Sequence, residues 1–191
     1  MESRFSSVSE VSLSRELLRT MQSASDVKQK VSEVFELLHA SVFRYLVRVL
    51  DDPSEAEDLM QEAFVQLYRV LHKGQVIGDV RPWIFRVAHN LALYRFRRKS
   101  PVELLDPVSW SLLSEQSQDP SPSVEQDLLE REQQVRFEAA LARLSPQERY
   151  CLELRAEGLS YREIAQVLEM KPPTLISFLG RVIKKLKSAT Q

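Results

Sequence analysis

Basic side chains are grouped in two parts of this 191-residue chain, and the chemistry open to such groups is the binding of phosphate. The first group lies in Arg81–Lys99 and the second in Lys171–Lys187. The second range contains no Asp or Glu, although the formal net charge of the whole chain is only -1. Two separated basic surfaces are expected of a protein that contacts nucleic acid at two places. A solvated charged face is the alternative for either group taken alone.

Acidic side chains form a further group between Asp51 and Glu62, a range that contains no Lys or Arg. These carboxylates fall near the start of a predicted helix, where the helix dipole favours negative charge. An acidic ridge beside an apolar stripe can pair with basic side chains on a partner protein. A surface that is merely solvated is again the alternative.

The sequence contains no arrangement of residues typical of catalysis or metal binding. Cys151 is the single cysteine, which excludes an internal disulfide, and His39, His72 and His89 have no zinc-site spacing around them. No phosphate-binding Gly-rich loop with Lys and no nucleophile paired with a base is present. We therefore expect a protein that is not an enzyme and needs no cofactor. Cys151 itself is interpreted as a core residue rather than a redox sensor.

The hydropathy of the sequence predicts a cytoplasmic protein. The N-terminal residues lack the apolar core of a signal peptide. No apolar run approaches the ~18 residues that are needed to span a bilayer. We therefore expect a soluble protein without membrane insertion.

Periodicity predicts an all-α fold, since glycine is scarce and alternating β-branched residues are almost absent. The first helix runs from about Val27 to Leu50, the second follows Pro53, and the third opens at Pro82 after a loop over Lys73–Arg81. The predicted buried positions are Val31, Val34, Phe35, Leu38, Val42, Tyr45, Leu46 and Val49 in the first helix, Ala56, Leu59, Ala63, Phe64, Leu67, Tyr68 and Leu71 in the second, and Trp83, Ile84, Val87, Ala88, Leu91 and Tyr94 in the third.

Capping signals predict where the helices of the C-terminal third begin and end. A helix from about Val124 to Leu144 leads to the sequence SPQE, in which Ser145 and Glu148 have the spacing of a capping box and Pro occupies the first helical position. Gly158 ends the next helix, and SYRE, beginning at Ser160, has the same capping pattern.

Two helical patterns then flank a break at Met170–Pro173, as in a helix-turn-helix. The second helix is the one that enters the major groove in such motifs. Ile176 and Phe178 lie in its first two turns, where they can meet thymine methyl groups or form a protein-binding patch. The predicted buried positions of this helix are Leu175, Leu179 and Val182.

The composition divides the chain into two small helical domains joined by a linker. Residues 1–26 are rich in Ser and are predicted to be a mobile N-terminal arm. Residues 27–100 form the first domain, 101–123 an acidic linker rich in Pro and Ser, and 124–191 the helix-turn-helix domain. The linker contains Leu and Trp side chains, so we expect part of it to dock on another surface.

Three segments in order resemble the sigma-70 family, specifically its short extracytoplasmic-function members. They are DPSEAEDLMQEAFVQLYR, PWIFRVAHNLALYRFRRK and LARLSPQERYCLELRAEGLSYREIAQVLEMKPPTL. The resemblance covers about residues 31–187 and implies two helical domains, with the linker lying along the nucleic-acid channels of RNA polymerase. It also implies a protein that binds core RNA polymerase and directs initiation at promoters with −10 and −35 elements.

The resemblance assigns a role to individual residues of this chain. The contacts with core RNA polymerase are assigned to Asp58, Gln61 and Glu62. The −10 DNA contacts are assigned to Arg86, Asn90, Arg95, Arg97, Arg98 and Lys99. The −35 DNA contacts are assigned to Lys171, Thr174, Ser177, Arg181 and Lys184. The partners that it implies are the bacterial core RNA polymerase, promoter DNA and an anti-sigma factor.

Some positions depart from the family pattern. Tyr94 stands where an Asp is common, Ile176 and Phe178 replace basic residues, and Glu169 replaces the usual glycine of the turn. Trp83 matches the pattern of the promoter-melting helix, but its spacing favours a core position over base stacking. Two other functions remain open: a degenerate family member acting only as an interaction protein, and a free-standing helix-turn-helix regulator.

Overall fold

The computed structural model of the chain describes residues 24–99, 135–136 and 139–190. These ranges contain helices and turns and no strand, which confirms the all-α prediction. The predicted linker and most of the predicted N-terminal arm lie outside the described residues. The helices are α1 (Ala24–Leu50), α2 (Pro53–His72), α3 (Val80–Lys99), α4 (Pro146–Ala156), α5 (Tyr161–Val167) and α6 (Pro172–Thr190). Residues 139–142 are also helical, inside the helix predicted before Ser145.

The helices of the first domain begin close to their predicted positions. Asp52 is the N-cap of α2, and its side chain accepts a hydrogen bond from the backbone N–H of Glu55 at 3.1 Å. Helix α3 begins at Val80, two residues before the predicted start at Pro82. The difference has a simple cause: proline is tolerated in the first helical turn, where an N–H has no partner within the helix.

The two capping boxes of the C-terminal domain are confirmed. The backbone N–H of Glu148 donates to Ser145 Oγ at 3.3 Å, and Glu148 Oε2 accepts from the Ser145 N–H at 2.9 Å. Ser160 and Glu163 form the same pair of bonds, at 3.3 and 2.7 Å. Gly158, with φ 80, follows α4 and occupies the left-handed conformation that favours glycine.

Most predicted stripes face the core, with two exceptions. Tyr68 and Tyr94 were predicted to be buried and are 36% and 58% exposed. The ring of Tyr68 stacks on His72 along the surface of α2, with a centroid separation of 5.4 Å. Tyr94 lies beneath the guanidinium of Arg98, 5.9 Å from it. Each tyrosine thus packs on a surface neighbour one turn away. Helical spacing alone does not distinguish such a surface tyrosine from a buried one.

Helix α3 is buried on two sides. It contacts α1 and α2 of its own domain and also α5 of the second domain. Its buried residues include Phe85, His89 and Ala92, which were not among the predicted buried positions. Trp83 is half-buried and packs against the core, in agreement with the preference for a core position.

The turn between α5 and α6 depends on Glu169. Its φ of 53 lies in the left-handed region, at the position where the sequence departs from a turn glycine. For a non-glycine residue this conformation costs roughly 1–2 kcal/mol. The turn nevertheless buries Leu175, Leu179 and Val182 of α6, as predicted.

The two domains contact each other through charged groups. Arg44 and Arg48 of α1 meet Glu153 of α4 and Glu157, the C-cap residue of that helix. We call these four residues the interdomain ion cluster. Arg44 Nη2 lies 2.8 Å from Glu157 Oε2, and Arg48 Nη1 lies 2.7 Å from Glu157 Oε1 and 3.4 Å from Glu153 Oε2. One apolar core is continuous between the domains, since its buried members come from both.

His89 lies at the centre of this contact. Its Nδ1 is 2.7 Å from the hydroxyl oxygen of Tyr45, and its ring meets the edge of Tyr150 at a centroid distance of 4.8 Å. Burial lowers the pKa of His89 from 6.5 to about 4, because the charged imidazolium loses its hydration. The contact between the domains is therefore built around a neutral histidine.

Acid should destabilise the protein through His89. Below about pH 6.5 the unfolded chain binds a proton that the folded chain excludes until about pH 4, so stability falls as the pH decreases through this window. The loss is up to about 3 kcal/mol. Urea unfolding at pH 7 and pH 4.5 measures it, with His89→Gln as the control. A variant with the same pH dependence as the wild type in this window would contradict the assignment.

Candidate polymerase-binding and DNA-binding surfaces

The residues predicted to contact polymerase share the solvent side of α2. Asp58 and Gln61 are exposed and Glu62 is partly exposed. Gln61 Nε2 donates to Glu57 Oε1 at 3.4 Å, and Glu62 Oε1 lies 3.4 Å from Arg69 Nη1. These are long contacts between exposed groups, which contribute little to stability and are easily exchanged for contacts with a partner.

Apolar side chains continue the same side of α2 towards its C-terminus. Val65 is 41% exposed and Tyr68 is 36% exposed. They lie one and two turns after Gln61 and Glu62, because positions three, four and seven apart share a helix face. The acidic ridge therefore ends in an exposed apolar patch. This patch was not predicted, because the spacing of Tyr68 favoured a core position.

One exposed line along α3 combines the groups that bind an unpaired strand. Asn90, Tyr94 and Arg98 follow one another at intervals of four residues, and all three are exposed. Arg97 is also exposed beside Arg98. The line offers an amide for base edges, an aromatic ring for stacking and cations for phosphates. Tyr94 was not among the predicted DNA-binding residues. The sequence signal for it was the position of an aromatic residue four places from both Asn90 and Arg98.

The other predicted −10 residues have different surroundings. Arg95 Nε lies 2.7 Å from Glu55 Oε1 at the start of α2, so this arginine ties the end of α3 to its neighbour. Arg86 is only partly exposed. The side chain of Lys99 lies outside the described residues.

The predicted −35 residues lie on the exposed surface of α6 and of the turn before it. Lys171, Thr174, Ser177, Arg181 and Lys184 are all exposed. Ser177 Oγ donates to the carbonyl oxygen of Pro173 at 3.1 Å, which leaves its lone pairs free to accept a hydrogen bond.

Phe178 and Ile176 differ in role, although they are close in sequence. Phe178 is half-buried against the core, and the guanidinium of Arg181 lies 5.4 Å from its ring centroid. This geometry is that of a cation–π contact, which holds the arginine over the ring. Ile176 is 57% exposed, and Ile183, two turns later, is 44% exposed. The apolar surface of α6 is therefore formed by the two isoleucines.

Lys185 belongs to the packing of the domain. Its Nζ lies 2.6 Å from Glu148 Oε1, and the Glu148 side chain is only 8% exposed. Burial raises the pKa of Glu148, but hydrogen bonds from Lys185 and Ser145 outweigh this and keep it below its usual range. Lys185 thus anchors α6 to the start of α4.

The described ranges contain neither a membrane-spanning helix nor a metal-binding cluster. No helix there is both long and apolar enough to cross a membrane. No cluster of three or more His, Cys, Asp or Glu side chains in those ranges is arranged to hold a metal ion. Cys151 is buried, and burial raises the pKa of its thiol to about 11, which disfavours the reactive thiolate.

Family models match both halves of the chain. The model of Sigma-70 region 2 matches residues 34–102, and that of Sigma-70, region 4 matches residues 134–186. The ECF RNA polymerase sigma factor SigL of Mycobacterium tuberculosis is 30% identical to this chain, over 80% of the chain and 85% of SigL. The chain belongs to the sigma-70 family.

A further relative is also of the extracytoplasmic-function (ECF) type, and a solved structure shares the fold. The ECF RNA polymerase sigma factor SigM of Bacillus subtilis is 27% identical over 161 residues, which are 83% of this chain and 93% of SigM. The sigma factor RpoE of Bartonella quintana, solved in complex with the anti-sigma factor NepR, shares the fold with a TM-score of 0.58 at 18% identity, over 83% of this chain and 94% of RpoE. The 191-residue chain is thus an ECF sigma factor, which directs initiation of transcription at promoters.

The family matches assign the surfaces to their regions. Helices α1, α2 and α3 lie in or overlap the region 2 match, and α4, α5 and α6 lie in or overlap the region 4 match. We therefore refer to the region 2 domain and the region 4 domain. The acidic ridge and the line on α3 belong to the first, and the exposed side of α6 belongs to the second.

Two adjacent lysines of the sigma factor should behave differently. Lys184→Met removes an exposed cation and should lower the salt slope of holoenzyme binding to −35 DNA by about 0.9, without changing stability. Lys185→Met leaves the Glu148 carboxylate without its ion pair and should destabilise the chain by about 1–2 kcal/mol, with little change in the slope. Thermal unfolding and binding at several salt concentrations separate the two. Equal destabilisation by both substitutions would contradict the placement of Lys185.

Proposed function

We propose that the acidic ridge of α2 binds core RNA polymerase. Asp58, Gln61 and Glu62 support this role because their solvent-facing side chains make only weak contacts within the chain. Val65 and Tyr68 add apolar area beside the charges, and interfaces commonly combine apolar anchors with a polar rim. Binding to basic groups of the polymerase would replace the 3.4 Å contact between Glu62 and Arg69.

The exposed line on α3 is proposed to hold the melted strand of the −10 element. This line is the observation that carries the proposal, because its three kinds of side chain are those that an unpaired strand requires. Asn90 hydrogen-bonds a base edge, Tyr94 stacks on a base, and Arg97 and Arg98 bind phosphates. Arg95 is proposed to support this surface from behind, through its ion pair with Glu55.

The exposed side of α6 is proposed to read the −35 element in the major groove. Arg181 and Lys184 contact phosphates, while Thr174 and Ser177 offer hydroxyl groups to base edges or phosphates. Ile176 replaces a charged contact with an apolar one and favours a thymine methyl group. The Phe178 ring holds Arg181 in place, so the loss of basic residues at the start of this helix is partly offset by a better-positioned arginine.

The cellular setting of this activity is also a proposal. The sigma factor acts in the cytoplasm, where polymerase and promoter DNA are found, and it performs no catalysis itself. RpoE of Bartonella quintana was solved with the anti-sigma factor NepR, and an anti-sigma factor is proposed to bind this chain as well.

A second candidate function is an interaction protein that binds polymerase without supporting initiation. The exposed Ile176 and Ile183 on α6 favour it, because exposed apolar side chains on one helix face are typical of partner surfaces.

Two substitutions test the roles of α2 and α3 separately. Glu62→Lys should weaken binding to core polymerase about tenfold or more, because it places a cation where basic partner groups dock. Arg97→Ala with Arg98→Ala should leave that affinity unchanged, reduce open-complex formation, and lower the salt slope of single-strand binding by about 1.4. Titration against core polymerase and promoter-opening kinetics measure the two effects.

Matched controls are available on exposed positions away from both surfaces. Glu36→Lys repeats the charge reversal on α1, and Lys28→Ala with Lys73→Ala repeats the loss of two cations. Full polymerase affinity of Glu62→Lys, or unchanged opening by the double arginine variant, would contradict the corresponding role. Binding of the wild type to polymerase without initiation at any promoter would favour the interaction protein.

A further inference from the structure

A glycine lies in the middle of α6, on its exposed surface. Gly180 is less favourable there than alanine, because glycine loses more backbone freedom when a helix forms. The glycines with positive φ in the described ranges are Gly74 and Gly158, so Gly180 does not serve a left-handed turn. A Cβ added at Gly180 would have no described atom within 4 Å. Nothing in the described part of the chain therefore requires a glycine at this position.

Two exposed isoleucines flank Gly180 along the helix. Ile176 is 57% exposed and Ile183 is 44% exposed. In an α-helix, residues seven positions apart are separated by about 10.5 Å along the axis and only about 20° around it. Gly180 lies between the two isoleucines along the axis and within about 60° of both around it. The missing side chain leaves a notch with an apolar wall at each end, and we call these three residues the α6 notch.

The surroundings of the α6 notch are cationic. Arg181 and Lys184 are exposed on the same helix, and the range Lys171–Lys187 contains no Asp or Glu. An occupant of the notch therefore meets positive charge beside an apolar surface. The major groove of duplex DNA has the complementary composition, because phosphates line its edges and the C5 methyl group of thymine is an apolar group on its floor. The charges thus favour DNA as the occupant over a protein surface of mixed charge.

We propose that the α6 notch receives the C5 methyl group of one thymine in the −35 element. The absence of a side chain at Gly180 lets the base approach the helix backbone, and Ile176 and Ile183 contact the methyl group from either end. Gly180 is then a specificity-determining residue, kept at a cost in helix stability. This inference rests on the proposed reading of the −35 element by α6 and names the base that the helix selects.

Removal of one methyl group tests the notch from the DNA side. Promoter duplexes with a randomised −35 segment are selected with the holoenzyme, and each thymine of the selected segment is then replaced in turn by deoxyuridine. This replacement removes only the C5 methyl group and keeps the groups that hydrogen-bond in the major groove. At one position, binding should weaken about threefold to fourfold, which is the effect of losing the burial of one methyl group.

Gly180→Ala tests the notch from the protein side. Alanine is the better helix former and meets no described atom, so the midpoint of thermal unfolding should rise by about 2–4 °C. The added methyl group should nevertheless weaken binding to the thymine duplex about threefold or more, because it occupies the space of the thymine methyl group. The variant should bind the uracil duplex more tightly than the thymine duplex, which reverses the preference of the wild type.

Matched variants separate the notch from general effects of the substitutions. Ile176→Ala removes one wall of the notch, so the thymine and uracil duplexes should bind almost equally. Leu37→Ala removes an exposed apolar side chain from α1 instead. Gly78→Ala adds a methyl group in the loop before α3, where a Cβ also has no described atom within 4 Å. Both of these controls should keep the thymine preference of the wild type.

Three results would overturn the proposal. They are equal binding of thymine and uracil duplexes by the wild type at every position, an unchanged thymine preference in Gly180→Ala, and weaker binding of Ile176→Ala to core polymerase with the thymine preference retained. The third would assign the isoleucines to a protein partner. Failure of the proposed function has a different signature: Arg181→Ala with Lys184→Met would leave the affinity for the selected duplex unchanged, which would mean that α6 does not bind it.

Discussion

The burial of two carboxylates determines how the domains of this sigma factor are arranged. Glu153 lies on α4 and Glu157 is the C-cap residue of that helix, and both are buried. Burial raises the pKa of Glu153, and Arg48 opposes that shift by favouring the ionised form. Since the arginines come from α1, their ion pairs join the end of α4 to the region 2 domain. The contact of α5 with α3 and the continuous apolar core join the two domains as well.

The same principle separates the basic residues that pair within the chain from those that are proposed to bind DNA. Arg44, Arg48, Arg95 and Lys185 each pair with a carboxylate whose side chain is at most 10% exposed. The charge of these residues is used within the chain. Among the exposed cations, Arg97 and Arg98 lie near the end of α3, and Arg181 and Lys184 lie on α6. The near-neutral net charge of the protein thus conceals both internal pairing and two local basic surfaces.

Local signals in the sequence predicted the helices well. Ser145 and Ser160 begin α4 and α5 because their side chains satisfy the first backbone N–H groups, and this depends only on residues three positions away. The stripe of α1 was also predictable, since that helix has a single buried side over most of its length. Glu169 was recognised as standing in a turn that favours glycine, although only the structure gave its left-handed conformation.

Other features depend on contacts between residues distant in the sequence. The ring of His89 contacts Tyr150 of the second domain, and the periodicity of α3 alone does not predict that contact. The two arginines of the interdomain ion cluster have the spacing of a solvated charged face, and so do its two glutamates. Their pairing is visible only in the folded structure. Tyr94 and Tyr68 show the reverse: aromatic residues at core spacing that lie on the surface, where they can contact DNA or polymerase.

We expect the two domains to separate during initiation, and the distance between them can be measured directly. Glu36→Cys on α1 and Arg162→Cys on α5 provide exposed labelling positions, and the buried Cys151 thiol remains unreactive. Pulsed electron spin resonance between spin labels at these positions should give one short distance in the free sigma factor. In the complex with core polymerase and promoter DNA, the distance should increase by several tens of ångströms, as the span between the promoter elements requires. An unchanged distance in a complex that initiates transcription would contradict this account.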